Sequence, residues 1–270
     1  MKKPLSAWRL LSLSLASVAL VAACGGSNDD DTDDRAGTAD PKVRFVHAVP
    51  GGPAVTLQRN GAAESGVTNV EYKYANQYYD VATEAYTFSL RTATGNVELA
   101  TANLSAERGD KYTLLALPTA EGAELLAIED PYNKSLTSND ARLRVINASV
   151  NAQPFDVYVT AANVDLATLS PQIINVGYKQ AAPASGADSV KVEGGSYVLR
   201  LTPAGSKAAF FTATVTVPEN GDWLLVTLPD DATPQTENAV RILRVRSDDS
   251  ADATEEIVTQ SSRGSAISGE

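Results

Sequence analysis

In Tyr86-Thr87-Phe88-Ser89-Leu90-Arg91 apolar and polar side chains alternate, and Tyr197, Leu199 and Leu201 keep the same phase further along the chain. A period of two sends one set of side chains to a core and the other to water, so both stretches are predicted strands with one wetted face. Tyr112 to Leu117 and Trp223 to Leu228 differ, being apolar at successive positions, as strands covered on both faces would be. Residues 208 to 217, AAFFTATVTV, are rich in β-branched and aromatic side chains and run into a Pro-Glu-Asn-Gly turn. A short helix fits only around Leu166 to Leu169. Many short strands broken by Gly, Pro, Asn and Asp predict an all-β chain of antiparallel β-sandwiches. With a single cysteine the intersheet disulfide of immunoglobulin domains is impossible, so only the immunoglobulin-like shape is expected.

The pattern also repeats. VRFVHAV at 43–49 returns as LRVINAS at 143–149, and NVEYK at 69–73 returns as NVGYK at 175–179. AYTFSLRTATG at 85–95 returns as SYVLRLTPAG at 196–205, and YTLLALP at 112–118 as WLLVTLP at 223–229. Matches kept in one order indicate a duplication. Two tandem sandwiches are expected, over 42–130 and 141–246, each long enough for its own core. The polar stretch 131–140, PYNKSLTSND, is the expected connector.

Before the first strand, Lys2, Lys3 and Arg9 precede an apolar run from Leu10 to Ala23. That run is shorter than the ~20 residues a spanning helix needs, and it reads as a secretory signal over 1–23. Val21-Ala22-Ala23-Cys24 resembles the lipobox of bacterial lipoproteins, which implies cleavage before Cys24 and acylation of its thiol and amine. Two or more acyl chains give a firm membrane anchor. Gly25 rather than Asp after the cysteine implies, by the sorting pattern of enteric lipoproteins, the outer membrane. From 24 to 41 an acidic tether carries Asp29, Asp30, Asp31, Asp33, Asp34 and Asp40 and is expected to be disordered; 247–270 reads as a second acidic tail. DDDTDD lacks the spacing of a calcium loop. The formal net charge of −11 therefore resides mostly in the two ends, and a nearly balanced folded part excludes a nucleic-acid partner.

Arg44-Phe45-Val46-His47-Ala48-Val49-Pro50-Gly51-Gly52-Pro53-Ala54-Val55 resembles the opening of domain-of-unknown-function family 4397 (DUF4397), approximately V-R-x-x-H-A-x-P-x-x-P-x-V-D-V. The second copy has Asn147 for the histidine and Val150 for the first proline, while Asp156 keeps the acid that Thr56 replaces in the first. The resemblance implies a secreted or lipid-anchored protein with tandem domains, and no activity.

His47 is the only histidine, so neither a histidine metal site nor a Ser-His-Asp triad can form within one chain. Because Asn147 takes the equivalent place, a shared structural role is expected for both. No catalytic residue, metal ligand or cofactor site is expected. The candidate ligand contacts are Tyr74, Tyr78 and Tyr79 in EYKYANQYYD, for stacking on sugar rings, and Arg241, Arg244 and Arg246 in VRILRVR, for anionic glycans. Charge guarding an edge strand is the competing explanation for the arginines. The functional expectation is a lipid-anchored, non-catalytic envelope module for binding, adhesion or scaffolding, with an envelope glycan or surface protein as its partner. The alternatives are a carbohydrate-active enzyme with carboxylates at the junction of the two domains, and a structural spacer.

Overall fold

The computed structural model describes residues 36–131, 137–247 and 253–260. The signal, Cys24, two thirds of the tether, the middle of the expected connector and most of the acidic C-terminal tail lie outside the described residues. The first half contains β1 (Lys42–His47), β2 (Val55–Arg59), β3 (Ala62–Ala63), β4 (Tyr79–Asp80), β5 (Ala85–Thr92), β6 (Glu98–Ser105), β7 (Asp110–Thr119) and β8 (Gly122–Pro131). The second half begins with β9 (Ala141–Asn147), β10 (Phe155–Thr160), β11 (Ile173–Val176), β12 (Ala181–Ala182) and β13 (Val190–Val192). It continues with β14 (Gly195–Pro203), β15 (Phe211–Val217), β16 (Asp222–Pro229), β17 (Val240–Arg246) and β18 (Thr254–Ile257). The expected short helix is a single 3-10 turn, Leu166–Thr168, whose Ala167 amide donates to the capping Asp165 side chain.

These strands form sheets in the orders β4-β1-β7-β8 and β3-β2-β5-β6, then β12-β9-β16-β17-β18 and β11-β10-β14-β15, with β13 also on β9. The order in the first pair of sheets recurs in the second. Both pairs are antiparallel except at one place each, where β1 lies parallel to β7 and β9 parallel to β16. The repeat extends to backbone detail: Asn69 and Lys73 take φ of 55° and 73°, and Asn175 and Lys179 take 53° and 65°. Such left-handed angles are uncommon away from glycine, so the NVEYK and NVGYK turns share one conformation.

Alternation explains the layering. In the first half Phe45, Leu57, Phe88, Leu90 and Leu114 point between their two sheets; Phe155, Leu199, Leu201, Phe211 and Leu225 do so in the second. The intervening positions of β1, β7, β9 and β16 form a third core made by both halves, with Val46, Leu115 and Leu117 against Ile146, Leu224, Val226 and Leu228. Each of those side chains contributes roughly 1.5–3 kcal/mol by leaving water. The doubly apolar strands are therefore covered on one face by their own sandwich and on the other by its neighbour. Four sheets stack in series, with a shared seam in the middle.

One end of that seam is charged. Arg44 and Arg144 are each only 1% exposed, and Lys111, Asp130, Arg142 and Asp222 are also buried. Asp130 of the first half accepts hydrogen bonds from Arg142 Nη2 at 2.9 Å, Arg144 Nη2 at 3.1 Å and Ser189 Oγ at 3.0 Å of the second. Asp222 of the second half faces Lys111 and Arg44 of the first, as well as Arg142. Burial alone would raise its carboxyl, but these cations hold it below the usual carboxylate range. Each half thus supplies an acid to cations of the other.

Within the acidic C-terminal segment, Thr254–Ile257 is a strand. Its acids are matched by the neighbouring arginines: Glu255 pairs with Arg244, and Glu256 with Arg241 at 2.5 Å, while Ile257 is buried in the second sandwich. The next residues cross to the other sheet, where Gln260 N donates to Thr212 O at 2.7 Å. One segment closes the open side of the second sandwich.

Candidate functional site

The loop after β1 carries Pro50-Gly51-Gly52-Pro53. Gly51 sits at φ 66°, and a side chain on Gly52 would press on Val49 at 2.9 Å, so both glycines are needed for this turn. His47 holds the loop from behind. Its Nε2 donates to Pro53 O at 3.2 Å and its Nδ1 accepts from Val49 N at 3.3 Å, which fixes a neutral ring with the proton on Nε2. Burial lowers the histidine pKa further below its ordinary value, although the Pro53 bond opposes this. Asn147 Oδ1 likewise accepts from Ser149 N at 3.1 Å. Histidine and amide do the same backbone work in the two halves.

In front of the loop lies a cleft of about 600 Å³ at the edge of the seam. The first half contributes Pro50, Gly51, Glu71, Tyr72 and Lys73, and the second contributes Pro229, Asp230, Asp231 and Pro234. Lys73 Nζ meets Asp231 Oδ2 at 2.6 Å and Glu256 Oε1 at 2.9 Å. Arg241 meets Asp231 at 2.8 Å, Glu256 at 2.5 Å and Asp230 at 3.3 Å. For Asp230, burial pushes the carboxyl up, but the Ala232 and Thr233 amides and Arg241 outweigh it and hold it below the ordinary range. Glu256 is held down in the same way by Lys73 and Arg241. Carboxyls so stabilised as anions do not act as proton donors at neutral pH.

Tyr72 and Tyr178 are equivalent, yet they differ at this seam. Tyr178 Oη donates to Pro118 O at 2.7 Å, whereas the Tyr72 hydroxyl, beside the cleft, has no hydrogen-bond partner. Among the described residues no group of three or more His, Cys, Asp or Glu suits a metal ion.

The residues singled out in the sequence are dispersed. Tyr74 and Tyr79 pack against the first sandwich core, and Tyr74 Oη donates to Gly66 O. Tyr78 is wedged under the Arg44 guanidinium, 4.4 Å from its ring centre, so these rings form no common platform. Arg241 reaches the cleft. Arg244 lies over the Trp223 ring at 4.3 Å, and Arg246 is half-buried on the same strand. β17 is not an edge, because β18 covers it. The cleft residues Lys73, Asp230, Asp231 and Glu256 come from three distant segments and were not singled out in the sequence; the repeated NVEYK turn was the one available signal for Lys73.

No curated protein matches this chain. A solved structure titled "Alpha-glucan binding by a streptococcal virulence factor" is similar at 9% identity and a TM-score of 0.23, covering 69% of this chain and 93% of that one. Residues 41–158, the whole first half and the second as far as β10, match the model of the family described as Domain of unknown function (DUF4397).

Proposed function

We propose that this chain is a lipid-anchored envelope protein, built of two tandem DUF4397-like sandwiches, that binds a hydroxyl-rich ligand such as a glycan in the seam cleft without catalysing its conversion. The observation that supports this most is the cleft itself, with its proline-rich walls, the unpartnered Tyr72 hydroxyl and a fixed array of paired charges. Apolar rings beside a few oriented polar groups suit sugar rings and their hydroxyls. The low-pKa carboxylates favour binding over the acid-base chemistry of a glycosidase, which needs a protonated acid.

A panel of neutral and acidic envelope glycans, applied to the immobilised chain, tests the binding. Tyr72→Phe together with Lys73→Ala should weaken the retained glycan by about tenfold or more, since two hydrogen-bonding groups are lost. Retention of no glycan at all would leave the spacer reading in its place. The anchor is tested separately. Cys24→Ser in the expressing bacterium should move the protein from the detergent phase to the aqueous phase, and persistence in the detergent phase would remove the anchor from the proposal.

A further inference from the structure

The ion pairs of the seam cleft are layered. Lys73 and Arg241 are the inner members, their side chains 18% and 14% exposed, whereas the Asp231 side chain is 49% exposed. Glu71, on the cleft wall, is exposed and pairs with no cation among the described residues. Two cations therefore stand with four carboxylates, those of Glu71, Asp230, Asp231 and Glu256, and the acids form the outer layer.

The cations are also fully engaged by those acids. Glu256 gives one oxygen to each, Oε1 to Lys73 at 2.9 Å and Oε2 to Arg241 at 2.5 Å. Asp231 meets both through Oδ2, at 2.6 Å and 2.8 Å, which leaves its Oδ1 without a hydrogen bond. Asp230 is turned onto the Ala232 and Thr233 amides and Arg241. A carboxylate or sulfate on a ligand would have to displace Asp231 and Glu256 from Lys73 and Arg241, and would then meet Glu71. A cationic group displaces nothing. Asp231 Oδ1 and the Glu71 carboxylate are unused acceptors, and a cleft with an excess of acids draws positive charge toward them.

Taking the cleft as the glycan site proposed above, we infer that its ligand is a glycan bearing free, protonated amino groups, and that Glu71 and Asp231 set this preference. Lys73 and Arg241 hold the acids in position. Arg241, whose charge pointed to an anionic glycan in the sequence, thus serves a ligand of the opposite sign. Hydrogen bonds between oppositely charged groups are stronger than those to neutral ones, so an amine is favoured over a hydroxyl or an acetylated amine at the same place.

The test is calorimetry on the full chain at mildly acidic pH, where the sugar amines are protonated. The probes are tetrasaccharides of glucosamine, N-acetylglucosamine, glucose and galacturonic acid, with spermidine as an amine that is not a sugar. The glucosamine tetrasaccharide should bind at least about fivefold more tightly than the glucose and N-acetylglucosamine ones, with no binding of the uronate. Glu71→Gln and Asp231→Asn should each bring the ratio of glucosamine to glucose affinity down toward one, and circular dichroism establishes that both variants are folded. Equal binding of glucosamine and glucose, a preference for galacturonate, or a ratio that neither variant moves overturns the amine preference while the glycan reading stands. Binding of spermidine alone, or of no probe, overturns both.

Discussion

Asp130→Ala should lower the unfolding free energy by about 3–5 kcal/mol, the range for removing one partner of a buried ion pair. The carboxylate is 5% exposed and serves Arg142, Arg144 and Ser189 at once, so its loss takes a buried counter-charge from two guanidiniums and leaves Arg144 with backbone carbonyls. Urea unfolding at neutral pH measures the effect. Glu98→Ala is the control, because its partner Arg91 lies at the surface and Glu98 is 51% exposed, so less than about 1 kcal/mol is expected. A loss from Asp130→Ala no larger than the control would mean that the seam is not held by its charges. Asp222 adds a pH dependence of definite sign. Its folded-state pKa is depressed, so its contribution is present above the unfolded carboxylate value of about 4 and fades as pH falls through the folded value.

Residues 36–131 expressed alone should self-associate or lose cooperative unfolding. Without the second half, Val46, Leu115, Leu117 and Ile128 are uncovered, and Arg44 and Lys111 lose the counter-charge of Asp222. The apolar contribution forfeited is comparable with the whole stability of a small domain, roughly 5–15 kcal/mol. Size-exclusion with light scattering and a urea titration decide the matter. A stable monomer with one sharp transition would show that each sandwich is independent and the seam merely adhesive.

The strands were legible because alternation is a local property. Tyr86, Phe88 and Leu90 fall on one face whatever the tertiary structure, and the segments that recur in the sequence lie on strands whose order, β4-β1-β7-β8, is matched by β12-β9-β16-β17. The same logic shows that Leu114 to Leu117 are covered on both sides but not by what, since a period names a face and never its partner. The burial of Arg44 and Arg144 is not legible in the sequence, because arginine is seldom fully buried without a partner and their acids lie far away along the chain. EYKYANQYYD looked like one cluster, yet its rings go to two cores and a guanidinium. Thr254–Ile257 was unreadable as a strand because its acids repel one another until Arg241 and Arg244 stand opposite.

On β8, Glu124 and Glu129 stand where Arg241 and Arg246 stand on β17, so of these two strands only β17 offers Glu255 and Glu256 opposite charge, on Arg244 and Arg241. Charge thus assigns the acidic strand to the basic edge of the second sandwich.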